Sequence, residues 1–144
     1  MILATVDLPR HRGAVTMVDG AFDPIHPGHI AYFEAAAALG LPVLCNVSPD
    51  AYVTTKHRPL LTQAERAAVL DAIRFVEYVH LAPGSTRDVL AELGPRFYAK
   101  GADWRGRLPD AEVATCAEQG TEIVYLDTVL ESSTALLERY ADGS

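Results

Sequence analysis

Lysine is nearly absent from this 144-residue chain: of its 12 basic residues ten are arginine, and only Lys56 and Lys100 are lysine. Against 19 acidic residues they leave a formal net charge of −7. That balance speaks against a surface that coats nucleic acid or an anionic membrane, because both depend on a broad basic field. It leaves room for a small polyanion held by a few local cations. Cysteine is equally scarce: Cys45 and Cys116 lie far apart with no Cys-x-x-Cys spacing, which argues against a thiolate zinc site or a disulfide framework. A reduced, cytoplasmic protein is the expectation. No apolar run approaches the roughly 20 residues that span a bilayer, and Met1 to Gly13, with Asp7, Arg10, His11 and Arg12, lacks the basic-then-apolar order of a signal peptide. No repeat is found, and no low-complexity tract beyond the alanines at 35 to 38. With 49% apolar and 22% charged residues, the chain has the composition of one globular domain rather than of a disordered segment. At this size roughly two-thirds of the unfolded surface is buried on folding, enough for a core without staples.

Along the chain, short apolar runs alternate with helix-period stretches, and turn residues mark most of the switches. Ala14 to Val18 reads as a strand ending at Asp19-Gly20. A helix opens near His26-Pro27-Gly28 and stops at Gly40, before Pro42. Leu41 to Val47 reads as a second strand. Thr62-Gln63-Ala64-Glu65 fits a capping box, in which hydroxyl and carboxylate satisfy free amides at a helix start, so a helix is predicted from Gln63 to about Arg74. Phe75 to Leu81 is a third strand, Ser85 to Leu93 a helix closed by Gly94-Pro95, and Arg96 to about Lys100 a fourth strand. Asp110 to Gln119 is helical, Thr121 to Leu126 is the fifth strand, and Ser132 to Tyr140 a last helix. Five strands alternating with five helices predict an α/β protein with a parallel sheet covered on both faces. Ligands of such sheets bind beyond the carboxyl ends of the strands, where the strand order switches. The segments following Val18, Val47, Lys100 and Leu126 are therefore the ones to search.

The first of them, Gly20-Ala21-Phe22-Asp23-Pro24-Ile25-His26-Pro27-Gly28-His29, is the most informative. Pro27 suits the first helical position, where its missing N–H is no loss. This puts His26 at the N-cap and His29 one turn on, so that both imidazoles can face one ligand. Gly28 presents no side chain to block approach to the amides of the first turn, and those amides with the helix dipole form an anion site. Two imidazoles above a helix N-terminus can donate to phosphate oxygens, more strongly if protonated as negative charge builds up. The arrangement suits phosphoryl chemistry. An alternative takes His26, His29 and Asp23 as metal ligands, although His-x-x-His lacks the i, i+4 spacing of helical zinc pairs.

Gly20 to His29 resembles the HxGH-motif nucleotidyltransferase superfamily, in particular its cytidylyltransferase-like branch, which includes glycerol-3-phosphate cytidylyltransferase and the adenylyltransferase domain of ADP-heptose synthases. The resemblance runs from about Val15 to Tyr140. His26 and His29 match the motif histidines, and Phe22 with Asp23 the preceding aromatic–acid pair. Asn46-Val47-Ser48-Pro49-Asp50 is similar to the family's Asn-Ser-Asp segment, and Lys56-His57-Arg58-Pro59 to its Lys…Arg-Pro stretch, with Arg66 at the arginine position of the next helix. Lys100-Gly101-Ala102-Asp103 matches Lys-Gly-x-Asp, Asp103-Trp104-Arg105-Gly106 resembles Asp-Trp-x-Gly, and Ser132-Ser133-Thr134 stands where the family has Ser-Thr-Thr. Asp127 to Glu131 departs from the family's Arg-Thr-Glu-Gly-Ile, which leaves the nucleotide base and the acceptor open.

The resemblance implies a Rossmann-like, doubly wound, five-stranded parallel sheet in one domain, residues 14–144, after an extension of residues 1–13. It implies transfer of AMP or CMP from ATP or CTP to a small phosphorylated acceptor, a sugar 1-phosphate or polyol phosphate, with release of pyrophosphate. His26, His29 and Lys56 would be catalytic. Gly20, Ala21, Phe22, Asp23, Gly28, Lys100, Gly101, Asp103, Ser132, Ser133 and Thr134 would bind the nucleotide, and Asn46, Asp50, Arg58 and Arg66 the acceptor. Mg²⁺ is expected to enter with the triphosphate, without a protein-built metal site. A homodimer is implied, with no nucleic-acid or membrane partner. The competing readings are a nucleotide-binding regulatory domain without turnover and a metal-dependent hydrolase.

Overall fold

The structure, a computed structural model, describes residues 1–128 and 133–141. Its centre is a six-stranded, all-parallel sheet built from β1 (Ile2–Leu3), β2 (Thr16–Gly20), β3 (Val43–Val47), β4 (Tyr78–Leu81), β5 (Phe97–Gly101) and β6 (Glu122–Leu126), in the spatial order β1-β4-β3-β2-β5-β6. The chain runs outward from β2 through β3 to β4, then crosses back to add β5 and β6 on the other side. The switch of strand order therefore falls at β2, whose last residue opens the Gly20 to His29 segment. The helices are α1 (Pro27–Ala37), α2 (Asp50–Thr54), α3 (Gln63–Asp71), α4 (Thr86–Leu93), α5 (Asp110–Gln119) and α6 (Ser133–Ala141).

Alternation along the strands divides the core between the two faces of the sheet. Val18, Cys45, Val47, Val79 and Ala99 meet Tyr32, Phe33 and Ala36 of α1 and Ala67 and Leu70 of α3. On the other face Val15, Met17, Leu44 and Tyr98 meet Val89, Leu90 and Leu93 of α4, Cys116 of α5, and Leu8 from a 3₁₀ helix, Thr5–His11. Fully burying a leucine of this kind contributes roughly 1.5–3 kcal/mol. The Tyr32 hydroxyl donates to the Ala99 carbonyl and ties α1 to β5. The Gln63 amide donates to the carbonyls of Val47 and Ala82, at 2.9 and 2.8 Å, joining two strand ends beyond their ladder.

Local signals agree with these elements. Thr62 and Glu65 form the expected capping box of α3, which holds the Glu65 carboxyl below its ordinary range through its bonds to Thr62. Gly94 and Gly120 close α4 and α5 in the left-handed conformation. Three features differ from the sequence expectation. A sixth strand, β1, pairs with β4, and with the 3₁₀ helix it makes residues 1–13 part of the folded body; two residues carry no readable periodicity. The five-residue α2 follows Pro49 and buries only Val53, too short a run for an amphipathic pattern. The third predicted strand begins at Tyr78 rather than Phe75, because Phe75 and Val76 pack against the α1 face from a loop. Among the described residues no helix is long and apolar enough to cross a membrane.

Candidate active site

A cleft of about 500 Å³ opens beyond the carboxyl ends of β2 to β5. At one side stands the N-terminus of α1, with His26 as N-cap and Pro27 at the first helical position, as the sequence predicts. The His26 backbone N–H donates to His29 Nδ1 and the Gly28 N–H donates to His26 Nδ1, both at 3.2 Å. A ring nitrogen that accepts carries a lone pair, so in each neutral imidazole the proton sits on Nε2. The two rings lie 3.8 Å apart between centroids, tilted by 30°. Burial, and then the neighbouring His26, lower His29 from 6.5 to about 3. His29 is therefore a neutral Nε2–H donor at pH 7.

The first-turn amides do not form the expected anion cradle. Pro27 has no N–H, Gly28 is capped by the His26 ring, and the amides of His29 and Ile30 donate to the His26 carbonyl. This corrects the reading of Gly28 as a nucleotide ligand. Gly20 and Phe22 do form the cleft wall. A Cβ on Gly20 would meet Phe22 Cζ at 3.0 Å, so glycine is what lets that ring lie close. Phe22 takes φ +54°, a left-handed conformation costing a bulky residue roughly 1–2 kcal/mol. Its ring stands edge-on to His29, 5.0 Å between centroids, and packs against Phe33.

On the opposite face of the sheet the strand ends carry a row of polar residues. Asp19 lies beside Asn46, and Asn46 beside His80, in the strand register. The Asn46 Oδ1 is 2.9 Å from His80 Nδ1, and His80 Nε2 is 2.9 Å from the Thr5 hydroxyl of the 3₁₀ helix. Burial lowers the His80 imidazole, so it is neutral, donating from Nδ1 to Asn46 and accepting from Thr5. Asp19 accepts from Lys100 Nζ at 2.9 Å and from the Thr86 hydroxyl at 2.8 Å. Lys100, 7% exposed, also lies 4.3 Å over the Trp104 ring. The Tyr98 hydroxyl is 2.7 Å from Glu112 Oε1 and 3.3 Å from Asp19 Oδ1, and with one proton it donates to one of them at a time. Burial raises the Tyr98 phenol well above its ordinary range and also raises the Glu112 carboxyl.

The other residues singled out in the sequence divide between cleft and scaffold. Ala21, Asn46, Lys56, Lys100, Gly101 and Asp103 line the cleft. Lys56 is exposed on the loop after α2, 5.0 Å from the Tyr52 ring centroid. Lys100 is in place, but its charge is engaged by Asp19. Arg66 is corrected from acceptor ligand to scaffold: its side chain is 0% exposed. Its guanidinium donates to the carbonyls of Ala21 and Leu61, at 2.7 and 3.3 Å, and to Asp50 Oδ1 at 2.7 Å. Asp50 is accordingly held by Arg66 and is not part of the cleft wall. Asp23 is fully buried and accepts from the Leu60 and Leu61 amides at 2.8 and 3.1 Å, so it anchors the loop that carries Lys56. That commitment also removes it as a metal ligand beside the histidines, and among the described residues no three His, Cys, Asp or Glu side chains converge to hold a metal. Arg58 is exposed and outside the cleft wall. Ser132 lies outside the described residues. Ser133 and Thr134 open α6; their side chains lie outside the described part of the structure.

Sequence reasoning missed Asp19, Tyr98, Thr86, Trp104 and Glu112 as cleft residues. A signal existed: Asp19, Asn46, His80 and Lys100 are polar residues at the last position but one of four largely apolar strands.

The sequence also matches known proteins. A family model described as cytidylyltransferase-like matches residues 17–132. A bifunctional protein HldE of Streptomyces coelicolor is 36% identical over 138 residues, covering 92% of this chain and 29% of that protein. Another HldE, of Pseudomonas syringae, is 31% identical over 145 residues, covering 96% of this chain and 30% of that protein. The chain thus spans about three-tenths of the length of these curated relatives. A solved lipopolysaccharide core biosynthesis protein of Thermoplasma volcanium superposes with a TM-score of 0.70 at 23% identity, covering 81% of this chain and 98% of its own. A protein of unknown function from Archaeoglobus fulgidus superposes at 0.61 and 19% identity, covering 82% and 93%. These two likenesses establish the shared fold. With the family match running through the histidine segment and nearly every strand, the chain belongs to the cytidylyltransferase-like family.

Proposed function

We propose that this protein transfers AMP or CMP from ATP or CTP to a small phosphorylated acceptor, a sugar 1-phosphate or polyol phosphate. The observation that carries this reading is the convergence of His29 from α1 and Lys56 from the loop after α2 on one cleft at the switch of strand order. An acceptor oxygen attacks the α-phosphorus, the bond from that phosphorus to the bridging oxygen breaks, and pyrophosphate leaves with the electron pair. No covalent enzyme intermediate is needed, so the protein's work is alignment and charge stabilisation. His29, oriented by the His26 amide, donates through Nε2–H to the phosphates around the reacting phosphorus. Lys56 adds a mobile point charge from a loop that Asp23 pins.

Mg²⁺ belongs to this reading as the counter-ion of the triphosphate. The described residues do not offer it a cage, since Asp19 is occupied by Lys100 and Thr86, and we assign no step to a protein-held metal. A homodimer is part of the same reading, and analytical ultracentrifugation tests it. The central test is pyrophosphate release with ATP or CTP and a panel of phosphorylated acceptors. Turnover with at least one acceptor, falling by 100-fold or more in His29→Ala, is expected. Full activity in His29→Ala overturns the mechanism. Triphosphate binding without pyrophosphate from any acceptor favours a regulatory nucleotide-binding domain instead.

A further inference from the structure

Asn46 and His80 are each 1% exposed, on the sheet face that carries Leu44 and Leu8, where aliphatic side chains would pack with no polar group to satisfy. A buried polar pair is favourable only when its hydrogen-bonding edges are met. Protein groups meet three of the four edges here. His80 Nε2 lies 2.9 Å from the Thr5 hydroxyl, and His80 Nδ1 lies 2.9 Å from Asn46 Oδ1. The fourth edge, the Asn46 amide nitrogen, has no acceptor among the described residues, and Asn46 lines the cleft. The open edge of the pair therefore belongs to the side where a ligand lies.

The polarity of this row follows from its two ends. His80 Nε2 accepts the Thr5 O–H only with its lone pair free, which puts the imidazole proton on Nδ1. Nδ1–H in turn needs an oxygen, so the Asn46 amide turns Oδ1 to His80 and its NH2 away. At the other end Asp19, paired with Asn46 in the strand register, sets a carboxylate beside the amide. A carboxylate repels Oδ1 and attracts N–H, so it favours the same orientation. We propose that Thr5 and His80 are positioning residues that fix Asn46 as a hydrogen-bond donor to an oxygen of the bound acceptor substrate. The identity of that ligand rests on the nucleotidyl-transfer reading. Burial lowers the His80 imidazole, and the neutral ring is what allows it to accept from Thr5 and donate to Asn46 at once. Thr5 belongs to the 3₁₀ helix Thr5–His11, which contributes nothing to the cleft wall. A segment outside the site thus sets the hydrogen-bonding sense of a group inside it.

Nitrogen-15 NMR of the imidazole rings, with the His80 signals assigned by their loss in His80→Gln, reads the tautomer without any need for turnover. Nδ1–H is expected in wild type; Nε2–H overturns the proposal while nucleotidyl transfer stands. Thr5→Val replaces the hydroxyl by a methyl group that also shuts water from Nε2, and the ring should then populate both tautomers. KM for the acceptor substrate is expected to rise about tenfold, as for weakening of one bond to a charged group, with kcat and the triphosphate's KM within about twofold. Thr5→Ser, which keeps the hydroxyl, should restore both the single tautomer and the KM. On an Asn46→Ala background Thr5→Val should add less than about twofold, because Thr5 acts through Asn46; additive effects overturn the proposal. An unchanged acceptor KM in Thr5→Val, or a rise confined to the triphosphate, overturns it as well. If Thr5→Val does not fold, Thr5→Ala is used, with a rise of about threefold expected because water reaches the ring. If no acceptor yields pyrophosphate, nucleotidyl transfer fails by itself, and the Asn46 side-chain NH2 resonances are followed on addition of inorganic phosphate. A shift in wild type that is lost in Thr5→Val sustains the positioning role, and unmoved resonances refute it.

Discussion

Replacing Arg66 with methionine separates a scaffold role from a ligand role. Methionine keeps much of the apolar stem and removes the guanidinium, which is wholly buried. Two bonds on it are short, to the Ala21 carbonyl and Asp50, and a third, to the Leu61 carbonyl, is longer at 3.3 Å. Hydrogen bonds to charged groups contribute about 1.5–3 kcal/mol each. Asp50 is half-exposed and regains water, so its share is about 1 kcal/mol at most. The two carbonyls together account for about 3–4 kcal/mol, and removing a guanidinium whose burial was costly returns part of that. A net loss of about 3 kcal/mol follows, set against roughly 5–15 kcal/mol for a whole domain. At this chain length it lowers Tm by about 10 °C. Urea denaturation and thermal circular dichroism measure it directly. Asp50→Asn should cost about 1 kcal/mol or less. A loss below about 1 kcal/mol in Arg66→Met, with acceptor KM raised tenfold, would refute the assignment and return Arg66 to the acceptor.

Three further outcomes are expected. Because the His29 imidazole stays neutral in the folded chain down to about pH 3 but takes a proton below 6.5 when unfolded, stability is fully present above pH 6.5 and is lost as pH falls through that window. With partial solvent access discounted, wild type should lose about 1–2 kcal/mol more than His29→Gln between neutral pH and about pH 4.5; equal slopes in urea titrations would contradict this. Lys56→Glu should slow nucleotidyl transfer at least tenfold while moving Tm by less than about 2 °C, since an exposed loop lysine contributes little to the core; parallel losses of activity and Tm count against it. Asp23→Ala should cost about 1–2 kcal/mol and speed amide hydrogen exchange at Leu60 and Leu61, with a larger proportional fall in kcat as the Lys56 loop is released; unchanged exchange at those amides would remove Asp23 as the loop's anchor.

Much of the fold is legible from short stretches. Thr62 with Glu65, Gly94 with Pro95, and Gly120 mark helix ends because caps and left-handed turns are chosen by the residues that adopt them. His26-Pro27 places the first imidazole at the start of α1 for the same reason, and alternating strands and helices then imply a parallel sheet and a cleft at its carboxyl edge. The roles of the amides and charges around that cleft are not local. Gly28 looks available in a linear reading, yet its N–H is taken by the ring two residues before it. Arg66 and Asp23 carry charges that belong on a surface until the fold buries them against backbone groups of other segments.

The sequence alone therefore determined the alternation of elements, the position of the histidines at a helix start, and the family chemistry they resemble, since each depends on neighbours within a few residues. Only the tertiary structure decided that Lys100 is spent on Asp19, 81 positions away, and that Glu112 and Trp104 share one wall with them. Strand order and register set those meetings, and neither is written in any single segment.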